Sequence, residues 1–290
     1  MSAPRGPRLL ARGSAARGAL LLGLAALLAG AFLGAGPPAQ GPLAVSDTGR
    51  GDPCIVLVHG IGVAHGSWDA VAKRLAEHHR VLAVDLPGHG GSAALDSVTV
   101  DRVAGALEAT LAVRDIRRAV LVGHSYGGLV VLAEAAAHPR RARGVAVVDI
   151  AAWQAIDPGQ VAELEKIMTE RYPVFLDAVF ETMSADSSVR EELKESARTV
   201  PPDVVRAYFR DAWRADLRRS VKRLEAPLLV VTGPALWPAR QPWDSVRVHL
   251  GYSGAHRATG VRISGTGHFI PLDRPDSLAA VLGSFAAGLR

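Results

Sequence analysis

A serine flanked by two glycines has the sequence context that most strongly indicates chemistry. Ser125 lies in Gly-His-Ser-Tyr-Gly, with Gly123 and Gly127 two positions before and after it. An apolar run at residues 118–122 precedes this motif and a helical pattern follows, which predicts a sharp turn from a strand into a helix. Such a turn needs glycines where a Cβ would collide, and it exposes the serine hydroxyl at the end of the sheet. We interpret Ser125 as a nucleophile, the alternative being a structural serine in a tight turn.

A serine hydroxyl attacks poorly unless a base removes its proton. His268 is the candidate base, because it follows the last predicted strand in a Gly-Thr-Gly-His loop at residues 265–268. The carboxyl ends of parallel strands meet at one edge of a sheet, so this loop and Ser125 are expected at the same edge. We expect the histidines outside the motifs to be solvated: His65, His78, His79, His138, His249 and His256.

The elements that must position these residues form an alternating pattern. Strands are predicted at residues 43–48, 54–58, 80–84, 118–122, 144–148, 227–233 and 260–264. Helices are predicted at residues 67–78, 98–113, 127–138, 243–250 and 275–289. Strands alternating with helices of this length imply right-handed crossovers. The fold class is therefore α/β, with a mostly parallel central sheet and helices on both faces.

One long stretch, residues 151–224, lacks the alternation. It is rich in helix formers and charges, and helices are predicted at residues 160–172, 174–183, 189–199 and 204–224. We predict an all-helical cap inserted over the sheet, with the α/β core made of residues 41–150 and 225–290. The aromatic and methionine side chains of the cap either line an apolar pocket or form the cap's own core.

Residues 1–40 have the composition of a targeting segment. Arginines up to Arg17 are followed by an apolar run at residues 19–33 and then by small residues. This order predicts a secretory signal peptide. The run from 18 to 36 is also long enough to cross a bilayer, so an uncleaved membrane anchor is the main alternative. The protein is expected to be exported, to the periplasm or beyond the cell, or anchored to a membrane.

Composition excludes several classes of function. The formal net charge of +5 includes four arginines before residue 18, so the remaining balance is 5 − 4 = +1 and gives no electrostatic case for nucleic acid. The chain has 1 cysteine, Cys54, which excludes an intramolecular disulfide and the cysteine-based metal sites. We expect no metal or other cofactor, a small molecule as the partner, and membrane contact only through the leader.

The order of the motifs resembles the α/β-hydrolase fold superfamily, in its serine esterase or lipase-like form with a helical cap. The motifs are residues 59–62, 85–92, 123–128 and 265–271, and the resemblance covers the chain from about residue 43. Together they are highly specific for the fold, and none is specific for a substrate. The resemblance implies a serine hydrolase that cleaves an ester, thioester or similar acyl bond, with Ser125 as nucleophile and His268 as base.

The resemblance also implies an oxyanion hole made of two backbone N–H groups. One is that of Tyr126, the residue after the serine, and the other is that of Ile61, in the loop after the first long strand. Loss of one such donor typically costs about 2.7 to 4 kcal/mol of transition-state stabilisation. Supporting positions in the motifs are His59, Gly60, Gly62, Gly123, His124 and Gly127.

The acid that orients the histidine is where the sequence departs from the family pattern. The family most often carries it a few residues after the strand that follows the insertion, but here residues 233–243 contain no carboxylate and Asp244 is the first. The alternative is Asp149, at the end of the strand after the serine helix, where haloalkane dehalogenases and certain small bacterial esterases carry theirs. A third option is no direct carboxylate partner. Asp149 would then only cap a turn, and Asp85 is expected to fix its own loop.

Other activities share these motifs. Cofactor-free haloperoxidase-like perhydrolases and carbon-carbon bond hydrolases use the same constellation. Epoxide hydrolases and haloalkane dehalogenases are disfavoured, because they need a carboxylate where this chain has Ser125. A non-catalytic binding protein on the same fold is the alternative from another class, and the missing acid after the strand at 227–233 is its only support.

Overall fold

A computed structural model describes residues 41–154 and 156–289. In this part of the chain seven strands form one sheet in the order β1-β3-β2-β4-β5-β6-β7. Strand β1 is antiparallel to β3, and all other neighbours are parallel. The strands are Val45–Thr48 (β1), Cys54–Val58 (β2), Val81–Val84 (β3), Ala119–His124 (β4), Ala142–Val148 (β5), Leu228–Thr232 (β6) and Ala258–Arg262 (β7). The prediction of a mostly parallel α/β sheet is confirmed.

Helices connect the strands. They are Asp69–Leu75 (α1), Val100–Val113 (α2), Tyr126–Ala137 (α3), Pro158–Glu170 (α4), Tyr172–Phe180 (α5), Ser187–Thr199 (α6), Pro202–Arg214 (α7), Arg218–Arg223 (α8), Trp243–His249 (α9), Ile270–Asp273 (α10) and Pro275–Ala287 (α11). A 3-10 turn at His65–Trp68 leads into α1.

The core lies on both faces of the sheet, because alternate side chains of a strand point to opposite sides. In β2, Val56 and Val58 pack in one buried cluster with residues of α2 and α3. Their neighbours Ile55 and Leu57 pack in a second cluster with residues of α1 and α11. Strands covered on both faces need continuous apolar runs, which is why the strand predictions agree closely with the observed elements.

The described residues of the segment 151–224 form five helices, α4 to α8. The prediction of one helix over residues 204–224 is wrong, because one helix ends at Arg214 and the next begins at Arg218. At the break Asp216 forms an isolated antiparallel bridge with Trp153, and the Leu217 amide donates to the Ala152 carbonyl over 2.7 Å. These contacts join the end of α7 to the first residues of the segment 151–224.

Three contacts place this helical segment against loops at the carboxyl edge of the sheet. A Cβ at Gly62 would lie 2.8 Å from the Phe180 ring, and one at Gly88 would lie 2.8 Å from Val204. The Phe269 amide donates to the Met183 carbonyl over 2.8 Å. The loops after β2, β3 and β7 are therefore all in contact with the helices.

The predicted signal peptide or anchor at residues 1–40 lies outside the described residues. Within residues 41–154 and 156–289, no helix combines the length and the apolar character that crossing a bilayer requires.

Candidate active site

Ser125 lies at the junction of β4 and α3 in a strained backbone conformation. Its φ is 52° and its ψ is −125°, a region that residues other than glycine rarely occupy and that costs on the order of 1–3 kcal/mol. The turn is held by hydrogen bonds from the Ser125 amide to the Val148 carbonyl (3.0 Å) and from the Gly128 amide to the Ser125 carbonyl (2.8 Å). Strain of this kind persists where the surrounding structure enforces it, and it concentrates at functional sites.

The two motif glycines are required by backbone that approaches closely. A Cβ at Gly123 would lie 2.1 Å from the carbonyl oxygen of Gly127. A Cβ at Gly127 would lie 2.3 Å from the carbonyl oxygen of Val58, at the end of β2. A Cβ atom essentially never lies this close to a nonbonded backbone atom, so the turn that presents Ser125 needs glycine at both positions.

His268 and Asp149 are brought together at the same edge of the sheet. The Nδ1 atom of His268 lies 2.8 Å from Oδ2 of Asp149. Asp149 directly follows β5, has a φ of 52° and is 3% exposed. Its other oxygen, Oδ1, accepts a hydrogen bond of 2.7 Å from the Gly233 amide. A carboxylate accepts at Nδ1, so the proton is assigned to that nitrogen and Nε2 of His268 is left free to accept one.

Asp244, the other predicted acid, is not brought to His268. It lies in the first turn of α9, its side chain is 84% exposed, and its Oδ1 is 2.9 Å from Nε of Arg247. The position after β6 is instead occupied by Gly233, where a Cβ would lie 2.9 Å from the Thr266 hydroxyl and 3.4 Å from Oδ1 of Asp149. The Thr266 hydroxyl therefore lies closest to the space that a side chain at residue 233 would need, and the Asp149 carboxylate borders that space.

His124, the residue before Ser125, supports His268. Its Nε2–H donates to the backbone carbonyl of His268 over 2.9 Å, and the two rings are 4.8 Å apart. Burial holds the pKa of His124 well below its usual range, and the neighbouring His268 lowers it further. The ring is therefore a neutral support. The half-buried Ser125 hydroxyl forms no hydrogen bond with any described residue; such bonds often tighten only when substrate binds.

The predicted oxyanion donors flank Ser125. Tyr126 is the first residue of α3, and Ile61 lies in the loop after β2. Neither backbone amide donates to a described residue. A Cβ at Gly60 would lie 2.9 Å from Cβ of Ser125, so the loop of Ile61 approaches the serine closely. Gly62 next to it has a φ of +81°, which favours glycine.

A buried pair of histidines holds this loop. Nε2 of His59 accepts from the Leu86 amide (2.9 Å), and its Nδ1–H donates to the Gly60 carbonyl (2.7 Å). Nε2 of His89 accepts from the Gly62 amide (3.2 Å), and its Nδ1–H donates to the Pro87 carbonyl (3.2 Å). Burial lowers the pKa of His59 to about 3 and the pKa of His89 to about 4, so both rings are neutral.

His89 was missed as a supporting residue by the sequence argument, although it lies within the motif at residues 85–92. One other histidine expectation was wrong, since His79 was expected to be solvated and is buried. The side chain of His65 is 38% exposed, and its amide and its Nδ1 both contact Oδ1 of Asp85, at 2.7 and 2.9 Å. Asp85 also accepts from the Gly91 amide (2.9 Å), so it fixes its own loop.

The loop of His268 is tied to the helical segment through Asp273, a residue that the sequence did not single out. Oδ2 of Asp273 accepts from the Gly267 amide (2.6 Å) and from the Ala185 amide (3.3 Å). Its Oδ1 accepts from the Ser184 hydroxyl. One carboxylate therefore joins the loop after β7 to the residues between α5 and α6.

The buried histidines predict a stability that depends on pH. In the unfolded chain they protonate near pH 6.5, whereas His59 and His89 stay neutral in the folded protein down to about pH 3 and 4. The unfolded chain thus binds more protons between pH 4 and 6.5. The free energy of unfolding should fall in this window as the pH is lowered, by up to about 1.4 kcal/mol per pH unit for each histidine.

Urea denaturation between pH 7.5 and 5.0 measures this dependence. The control variant is His89→Gln, which keeps an acceptor for the Gly62 amide and removes one titrating group. As the pH is lowered, its free energy of unfolding should fall less steeply than that of the wild type. The difference in slope should correspond to about one proton. A pH dependence that is identical in the two proteins would contradict the assignment of His89 as neutral.

Comparisons with known proteins identify a family for the chain. Residues 55–281 match the model of the alpha/beta hydrolase family. A pimeloyl-[acyl-carrier protein] methyl ester esterase of Sodalis glossinidius is 30% identical over 201 residues, which are 64% of this chain and 76% of that protein. A putative non-heme haloperoxidase of Mycobacterium phage D29 is 40% identical over 112 residues, which are 38% of this chain and 40% of that protein.

Solved structures share the fold at lower identity. An enol-lactonase from Burkholderia xenovorans has a TM-score of 0.74 at 23% identity, over 84% of this chain and 96% of that one. An esterase from Thermogutta terrifontis has a TM-score of 0.74, also at 23% identity, over 85% of this chain and 93% of that one.

The family match and the similarity to esterases support an enzyme of the α/β hydrolase type. The chain belongs to the alpha/beta hydrolase family.

Proposed function

We propose that this enzyme is a serine hydrolase that cleaves an ester, thioester or similar acyl bond through an acyl-enzyme. The observation that carries the proposal is the 2.8 Å contact of His268 Nδ1 with Asp149, beside the strained turn of Ser125. This arrangement leaves Nε2 of His268 to accept the serine proton. The similarity to pimeloyl-[acyl-carrier protein] methyl ester esterases supports an ester bond as the target.

In the proposed reaction the Ser125 oxygen attacks the substrate carbonyl carbon while Nε2 of His268 takes the hydroxyl proton. The carbonyl electron pair moves onto oxygen, and the amides of Tyr126 and Ile61 donate to the resulting oxyanion. Asp149 stabilises the imidazolium. The oxyanion then collapses, the bond to the leaving group breaks, and His268 gives its proton to the leaving group.

Water completes the cycle. His268 removes a proton from a water molecule while the water oxygen attacks the acyl carbon, and a second oxyanion forms. The bond from the acyl carbon to Ser125 then breaks as the serine oxygen regains the proton from His268. Burial lowers the pKa of His124 and His59, which makes both rings poor acceptors of the serine proton, so His268 is the base in this scheme. The contact of Asp149 with His268 supports a catalytic role over a non-catalytic binding protein, the alternative for which a missing acid was the only support.

A second candidate is a cofactor-free perhydrolase of the haloperoxidase-like type. The similarity to the phage haloperoxidase supports it. The same acyl-enzyme would then transfer its acyl group to hydrogen peroxide in place of water and release a peracid.

Turnover of a chromogenic ester tests the proposed function. We expect the purified protein to hydrolyse p-nitrophenyl acetate or butyrate, with the Ser125→Ala protein as the blank. A parallel assay adds acetate, hydrogen peroxide and bromide and follows bromination of monochlorodimedone. Ester turnover that far exceeds bromination supports the hydrolase, and the reverse supports the perhydrolase. If the folded protein shows neither activity, that result contradicts the proposal.

A further inference from the structure

The phenol of Tyr126 links the serine turn to the helical segment. Tyr126 is 1% exposed, and its hydroxyl donates to Oδ2 of Asp211 in α7 over 2.6 Å. This length is typical of a hydrogen bond to a carboxylate. Burial raises the pKa of Tyr126 well above its usual range, and Asp211 adds to the rise, so the phenol keeps the proton that it donates.

A second tyrosine, Tyr208 in α7, contacts the loop next to the other predicted oxyanion donor. Tyr208 is three residues before Asp211, so the two side chains share one face of the helix. Its ring lies 4.7 Å from that of Tyr126 and, edge to face, 4.9 Å from that of His89. Its hydroxyl donates to the Pro87 carbonyl over 2.9 Å. His89 in turn accepts from the Gly62 amide, next to Ile61.

We propose that Asp211 and Tyr208 are positioning residues that hold the two oxyanion donors, Tyr126 directly and Ile61 through His89 and Gly62. This inference rests on the proposed function. It makes α7 part of the machinery that stabilises the transition state, although neither residue contacts the reacting atoms in the proposed scheme.

The physical basis is preorganisation. An oxyanion donor is effective only when it is fixed about 2.7–3.1 Å from the position that the charge will occupy. The backbone of Tyr126 is held by the serine turn, and its ring is held by Asp211 and Tyr208. Release of the ring frees the first residue of α3 to shift. The donor amide would then be displaced while the ground-state contacts of the substrate remain.

Kinetics of three variants test the inference: Tyr126→Phe, Asp211→Ala and Asp211→Asn. We expect the first two to lower kcat for a p-nitrophenyl ester about 10-fold, less than the 10²–10³-fold loss from deleting a donor. KM should change less than about 2-fold. The affinity for a trifluoromethyl ketone, whose adduct with serine carries the oxyanion, should fall by the same factor as kcat/KM.

Rescue and coupling separate a positioning role from a structural one. Asp211→Asn keeps an oxygen that accepts from Tyr126 and should recover most of kcat. The double variant Tyr126→Phe with Asp211→Ala should be no slower than either single variant, because one interaction is lost in all three. The matched control is Thr110→Val in α2, which removes a buried hydroxyl that donates to the Ala106 carbonyl and accepts from the Leu43 amide. It should lower the melting temperature without changing kcat.

Two outcomes overturn the inference alone. One is that Asp211→Ala and Tyr126→Phe lose no more kcat and ketone affinity than Thr110→Val. The other is that Asp211→Asn is as slow as Asp211→Ala. In both cases the wild type still turns over the ester and the proposed function stands. A wild type without ester turnover overturns the proposed function, and the inference with it.

Discussion

Replacement of Asp149 by asparagine is expected to lower kcat for ester hydrolysis by about 10⁴-fold, the loss seen when a triad aspartate becomes an amide. The asparagine amide would favour the wrong tautomer of His268, and it carries no charge to stabilise the imidazolium. The Gly233 amide can still donate to the side-chain oxygen of residue 149, so the fold should be preserved. Steady-state kinetics together with circular dichroism measure both effects.

The matched control is Asp244→Asn, which removes the carboxylate of the other acid that the sequence analysis considered. Its side chain is 84% exposed and pairs, among the described residues, only with Arg247, so kcat should stay within about 2-fold of the wild type. A large loss in Asp244→Asn together with a small loss in Asp149→Asn would reverse the assignment of the acid.

Gly127→Ala is expected to destabilise the protein by about 3 kcal/mol or more, beyond the usual cost of overpacking. The added Cβ would lie 2.3 Å from the Val58 carbonyl oxygen and 2.6 Å from that of His59. Both are backbone atoms at the end of β2, and they cannot move without shifting the strand. Urea denaturation followed by circular dichroism gives the change in the free energy of unfolding.

Gly105→Ala provides the control for this measurement. Gly105 lies in the middle of α2, and a Cβ there would meet nothing within 4 Å. Alanine is the better helix former, so this variant should gain about 0.5–1 kcal/mol. A Gly127→Ala protein as stable as the wild type would show that the turn does not need glycine at residue 127.

The sequence predicted the scaffold well, because the signals that specify it are local. Strands β2 and β6 are short apolar runs, as buried parallel strands must be. The glycines around Ser125 mark a turn that only glycine can form, so the strained serine was found from five residues. His268 was predicted in the same way, from the loop that follows the last strand.

Interactions between distant residues were not predictable in this way. The Gly233 amide that donates to Asp149 is a backbone group, and its position carries no side-chain signal. Tyr126 and Asp211 are 85 residues apart and meet only after α7 has packed. The break in the predicted helix over residues 204–224 depends on the bridge from Asp216 to Trp153, which is equally nonlocal.

The choice between Asp149 and Asp244 shows the same limit. Both residues follow Ser125 and precede His268 in the chain, so their order could not separate them. Strand order separates them, because β5 lies directly beside β4 and its end therefore adjoins the serine turn. Asp244 lies farther along the chain, on α9, where it faces solvent.

Locating the residue that a fluorophosphonate modifies tests the central claim most directly. The probe forms a stable adduct with a serine that is activated by a base, and peptide mass mapping identifies the modified position. Our account predicts one phosphonate per chain, on Ser125, with loss of ester turnover in proportion to labelling and no adduct in the Ser125→Ala protein. An adduct on another residue, or ester turnover that survives in Ser125→Ala, would contradict it.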